Sequence, residues 1–67
     1  MASNREPVSA LMPVRNGQAY LQASIRNVLA NLQCKDQLVI VNDGSNDATG
    51  RLLLDAAKMD PRVLVLT

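Results

Sequence analysis

Histidine, tryptophan and phenylalanine are absent from this chain, and Tyr20 is its only aromatic residue. Without histidine, no histidine-based triad, zinc site or histidine general base can lie within these 67 residues. Without a set of aromatic rings there is no base-stacking platform of the RNA-binding kind. Cys34 is the single cysteine, so no disulfide framework forms within the chain. It reads as one more small hydrophobe at the end of an apolar helix stripe, expected to be buried, and a lone thiol fits a reducing, cytoplasmic setting. An excess of either charge is missing too. Lys plus Arg number 7 and Asp plus Glu 6, for a net charge of +1. That balance gives no general electrostatic case for nucleic acid or an anionic membrane. No window approaches the ~18 uncharged apolar residues of a membrane-spanning helix. Residues 1–7 are polar, carry Arg5 and Glu6, and lack the apolar region of a secretory signal. They are expected to form a disordered tail, leaving residues 8–67 as the folded part.

Hydrophobic residues make up 48% of the chain, which argues against intrinsic disorder. Residues 8–14 (VSALMPV) form a mostly apolar run of strand length, with Pro13 near its end, where a strand can stop pairing. Asn16 and Gly17 punctuate the chain next. Leu21, Ile25, Val28, Leu29 and Leu32 then fall on one helical stripe, which predicts an amphipathic helix over 18–32. Residues 38–41 (LVIV) are apolar on both faces, as in a strand inside a parallel sheet. A second helix is predicted over 49–58, with Asp47 as its N-cap and Ser45 as the competitor, stopped by Asp60 and Pro61. Residues 63–66 (VLVL) make a third strand. The reading is α/β, a β-α-β-α-β parallel-sheet half of a Rossmann-like fold with right-handed crossovers.

If both crossovers run in the same direction, their handedness puts both helices on one face of the sheet. The other face is then bare, although residues 38–41 and 63–66 offer apolar side chains to both. A bare apolar face marks an interaction surface, and a domain of this size is marginal by itself. The expectation is an incomplete domain, its bare face covered by the remainder of a longer chain or by a homo-oligomer partner.

Ligands of open α/β sheets bind outside the carboxyl ends of the strands. Two segments sit there. Pro13, Val14, Arg15, Asn16 and Gly17 follow the first strand, and Asp43, Gly44 and Ser45 follow the second. Neighbouring strands would place Asp43 opposite the backbone of residues 13–15. A carboxylate there accepts from a pyrimidine imide or a ribose hydroxyl. A guanidinium at Arg15 can lie flat on a base or fork onto a phosphate. Gly17 and Gly44 permit close approach or positive φ. Against this, Asp43 can equally cap its loop, Arg15 can be a solvated charge, and Asn16 and Ser45 can be loop-shaping. No G-x-G-x-x-G, no P-loop and no G-x-S-x-G elbow is present.

The elements Pro13-Val14-Arg15-Asn16-Gly17 and Val41-Asn42-Asp43-Gly44-Ser45-Asn46-Asp47, with Asp60-Pro61-Arg62-Val63 after them, resemble the N-terminus of family 2 glycosyltransferases. The resemblance covers nearly the whole chain after residue 7. It implies the nucleotide-binding part of a GT-A fold and an inverting enzyme that transfers a sugar from a nucleotide-diphosphate sugar, a UDP-sugar by preference, to an acceptor hydroxyl. It implies that Asp43 bonds the uracil imide, that residues 13–16 line base and ribose, and that Asp47 is structural. Arg15 departs from the family's usual Tyr or Phe. A divalent metal, Mg or Mn, and a catalytic base are implied for the whole enzyme, with ligands and base outside these residues. These 67 residues are expected to be inactive alone. A cytoplasmic location, with or without peripheral attachment at the inner face of the membrane, goes with the resemblance. The alternatives are a small non-catalytic nucleotide-binding module that oligomerises, and another Rossmann-like enzyme such as a dehydrogenase.

Overall fold

The computed structural model describes residues 5–67. Its elements run β1 (Ser9–Val14), α1 (Leu21–Ala30), β2 (Gln37–Asn42), α2 (Thr49–Met59) and β3 (Val63–Leu66). The three strands pair in the order β1-β2-β3. Both pairings are parallel, with Val14 opposite Asn42 and Val41 opposite Leu66. The chain is therefore an α/β unit of the Rossmann-like kind, and both crossovers step the same way across the sheet.

Alternation along the strands separates the two faces. Val14, Leu38, Ile40 and Val63 join Leu21, Ile25 and Leu53 of the helices in one buried core. Both helices thus cover the same face. Leu11, Leu64 and Leu66 point the other way and are 71%, 48% and 47% exposed. Among the described residues nothing covers that side, and the half-buried Val39 and Val41 continue it.

α1 is shorter than the 18–32 expected from its stripe. Tyr20 and Leu21 both donate to the Gly17 carbonyl, so residues 17–20 form a turn that precedes the helix. At the other end Asn31 and Leu32 donate to Val28 and Leu29, and the Asn31 amide group bonds the Asn27 carbonyl at 2.9 Å. The helix tightens and stops. Cys34 consequently lies in the connection after the helix and is exposed. This corrects the expectation of a buried thiol, because the stripe ended before reaching it.

Arg62 closes the same corner. Its Nη1 donates to the Leu29 and Leu32 carbonyls at 3.1 and 3.0 Å, while Nη2 and Nε hold the Asp60 carboxylate. The guanidinium keeps the Asp60 carboxyl down at about 2, through hydrogen bonding first. α2 ends as expected: Asp60 is extended (φ −141, ψ 118), as a residue before proline prefers.

Of the tail expected over residues 1–7, residues 1–4 lie outside the described residues. Arg5 forks onto Asp36, whose oxygens also accept from the Val8 and Gln33 amides. Asp36 is buried. Its carboxyl stands well below the usual range, chiefly because of the Arg5 bonds, with the two amides assisting against desolvation.

Candidate functional site

The carboxyl ends of β1 and β2 are adjacent, and the loops that leave them meet. The Asp43 amide donates to the Val14 carbonyl at 2.8 Å, which places Asp43 against the residue 13–15 backbone as the sequence suggested. The Asn16 amide donates to Ser45 Oγ at 2.9 Å, and Asn16 Oδ1 accepts from the Asn46 amide at 2.9 Å. Asn16 adopts φ +49, a left-handed conformation that Asn tolerates better than most residues.

Deeper in, Gly17 donates to Thr49 Oγ1 at 2.9 Å. Thr49 donates in turn to Asp47 Oδ1 through its hydroxyl and, at 2.9 Å, through its amide. Asp47 Oδ2 accepts from the Gln18 amide at 3.4 Å, and Gln18 Oε1 accepts from Ala48. The Thr49 bonds, hydroxyl first and amide second, hold the Asp47 carboxyl below its ordinary value. Asp47 thus serves the start of α2 from one residue before Ala48, which is the N-cap by backbone geometry. Ser45, the competitor for that role, bonds across to Asn16 instead.

The sequence-derived residues therefore divide. Arg15 and Asp43 are exposed, and among the described residues neither side chain has a hydrogen-bond or ion-pair partner. Gly44 lies beside Asp43 at φ +67, with nothing within 4 Å of a would-be Cβ. Pro13 is exposed on the same edge. Val14 points into the core at 2% exposure, so it offers a ligand only its backbone. Asn16 and Ser45 are engaged with the opposite loop. Gly17 is a close approach: a Cβ there would meet Tyr20 Cζ and Val14 Cγ1 at 2.9 Å.

Sequence reasoning missed Gln18, Thr49 and Asn46 as the partners that join the loops. Their bonds span about thirty positions, and no local spacing signals them. An apolar groove between α1 and α2, floored by Ile25, Leu29, Leu52 and Ala56, contains none of the sequence-derived site residues.

The mouth presents a free carboxylate, a free guanidinium and an open glycine on a fixed backbone. Such a set can accept N–H or hydroxyl donors and pair with an anion. The described residues gather no three His, Cys, Asp or Glu side chains. Their donor set does not fit a divalent cation, and no step below is routed through one. No helix among the described residues is long and apolar enough to cross a membrane.

A family model described as glycosyl transferase family 2 matches residues 9–67. Glycosyltransferase GlyA of Streptococcus pneumoniae serotype 4 is 30% identical over 61 residues, which is 91% of this chain and 9% of that protein. The uncharacterized glycosyltransferase EpsJ of Bacillus subtilis is 30% identical over 59 residues, 88% of this chain and 17% of that protein. The uncharacterized glycosyltransferase RT0329 of Rickettsia typhi is 38% identical over 47 residues, 70% of this chain and 15% of that protein. The chain thus spans 9–17% of the length of these curated relatives. No solved structure matches it. The matched residues contain both loops of the site and every element of the fold, and on that match the chain belongs to glycosyl transferase family 2.

Proposed function

We propose that the mouth formed by the loops after β1 and β2 is the nucleotide end of a donor site, and that the donor is a UDP-sugar. The observation that carries this reading is that an exposed Asp43 carboxylate and an exposed Arg15 guanidinium, neither with a partner among the described residues, stand on two loops held together by hydrogen bonds. Asp43 accepts the imide N–H of uracil. Arg15 lies flat on the base or forks onto a phosphate. Gly44 leaves room for the ring, and the backbone of residues 13–15 closes the other side. In the whole enzyme an acceptor hydroxyl displaces the nucleoside diphosphate from the anomeric carbon with inversion. The hydroxyl proton goes to a carboxylate base, which is assigned to no residue of this chain.

The test is a titration of the full-length protein with UDP and with ADP. UDP is expected to bind more tightly. Asp43→Ala should weaken UDP by about 1–3 kcal/mol, the usual result of leaving a bound donor unpaired, and leave ADP unchanged. Equal affinity of Asp43→Ala and wild type for UDP would contradict the reading.

The uncovered face supports a second reading, a non-catalytic nucleotide-binding module closed by a second copy. In the first reading the rest of a longer chain covers Leu11, Leu64 and Leu66. Sedimentation of the full-length protein separates them: a monomer supports the first, and a dimer dissociated by Leu64→Lys supports the second.

A further inference from the structure

We propose that Asn16 is a positioning residue, which sets the orientation of Asp43 and does not itself touch the nucleotide. The proposal rests on the donor-site reading above. It departs from the role that the resemblance implied for residue 16, because the backbone amide and Oδ1 of Asn16 both face the opposite loop. Its amide reaches Ser45 Oγ at 2.9 Å and its Oδ1 receives the Asn46 amide at 2.9 Å, across 29 and 30 positions of sequence.

These bonds matter through what they bracket. Asp43 is fixed on its near side by its own amide on the Val14 carbonyl. Asn16 fixes Ser45 and Asn46 on the far side. Between the two anchors lies Gly44, at φ +67 with no neighbour within 4 Å of its Cβ position. One conformationally permissive residue thus separates the ligand-facing carboxylate from its second anchor. If the bond from the Asn46 amide to Asn16 Oδ1 is removed, the segment after Gly44 loses one of its anchors, while Ser45 still bonds the Asn16 amide and Asn42 Oδ1. Asp43 then samples orientations that a ligand must restrict again, and affinity falls by that ordering cost.

Asn16 is exposed, so truncating it opens no cavity. The deeper contacts of Gly17, Thr49 and Asp47 continue to join the loops. The fold and the orientation of Asp43 are therefore separable by mutation.

Asn16→Gly keeps the left-handed backbone and deletes Oδ1. Asn16→Asp keeps both the conformation and the acceptor. In the full-length protein without ligand, hydrogen exchange at the Asn46 amide should accelerate in Asn16→Gly and stay at the wild-type rate in Asn16→Asp. UDP titration should then show Asn16→Gly weaker by about fivefold, the scale of one neutral hydrogen bond. The double variant Asn16→Gly/Asp43→Ala should bind no more weakly than Asp43→Ala alone, because Asn16 acts through Asp43. A fivefold loss that persists in the Asp43→Ala background overturns the proposal, since Asn16 then acts independently of Asp43. Unchanged UDP affinity in Asn16→Gly overturns it as well. Wild-type protein that takes up no UDP contradicts the donor-site reading, and the positioning role falls with it.

Discussion

Gly17 and Gly44 meet different demands within one mouth. Gly44 has open space around its Cβ position and a backbone at φ +67. Gly44→Ala is therefore a matter of backbone conformation alone, and a destabilisation of about 1–2 kcal/mol is expected in denaturant melts. Gly17 is short of space instead: a Cβ would meet Val14 and the Tyr20 ring at 2.9 Å. Gly17→Ala is expected to cost about 1–3 kcal/mol by overpacking, with part of it recovered when Tyr20, itself 52% exposed, is cut to Ala. Asp43 was legible in the sequence because its place follows from strand adjacency and the edge at which open sheets bind ligands. The engagement of Asn16 and Ser45 was not. A side chain's partner some thirty residues away depends on loop geometry that periodicity does not encode.

Helix ends show the same division. The apolar stripe of α1 gave its existence and its buried face, with Leu21 and Ile25 in the core. It did not give the ends, because Gln18 is drawn to the second loop through Asp47 and Ala48. The C-terminal stop depends on Arg62, which arrives from the far side of α2. Arg62→Ala should lower the melting temperature by several degrees and speed amide exchange at Asn31 and Leu32. Arg62→Lys should not restore either, because one ammonium cannot span two carbonyls and the Asp60 carboxylate together. Unchanged exchange at Asn31 in Arg62→Ala would show that the cap is dispensable. β3 and the end of α2 were read to within a residue, since a four-residue β-branched and leucine run after Asp60-Pro61 leaves the chain little choice.

For the molecule as a whole, crossover handedness made the architecture a choice that the strand order settles: both crossovers step the same way. Two right-handed steps in one direction leave one sheet face without helices, and Leu11, Leu64 and Leu66 are exposed there. What covers that face was not legible, because a mainly apolar surface does not name its partner. Acid sensitivity is also a property of the whole fold, since the Asp36 and Asp47 carboxylates tie segments distant in sequence and Asp60 holds the Arg62 that reaches the end of α1. Asp36 holds Arg5, Val8 and Gln33, and Asp60 holds Arg62. Both carboxyls are depressed in the folded state, so the unfolded chain binds the more protons as pH falls below the ordinary value of about 3.9. Their contribution is complete above about pH 4 and is lost as pH falls through about 2 for Asp60 and lower still for Asp36. Melting temperature measured against pH should fall in that window, and less steeply in Asp36→Asn. A profile identical to wild type in that variant would show that Asp36 is not a source of the acid sensitivity.

The central claim is that the loops after β1 and β2 hold the nucleotide. Amide chemical-shift mapping of UDP binding to the full-length protein tests it most directly. The largest shifts are expected at residues 14–16 and 43–45, with the Ile25, Leu29 and Ala56 amides of the helix groove unmoved. Shifts concentrated in that groove, or none at saturating UDP, would contradict it.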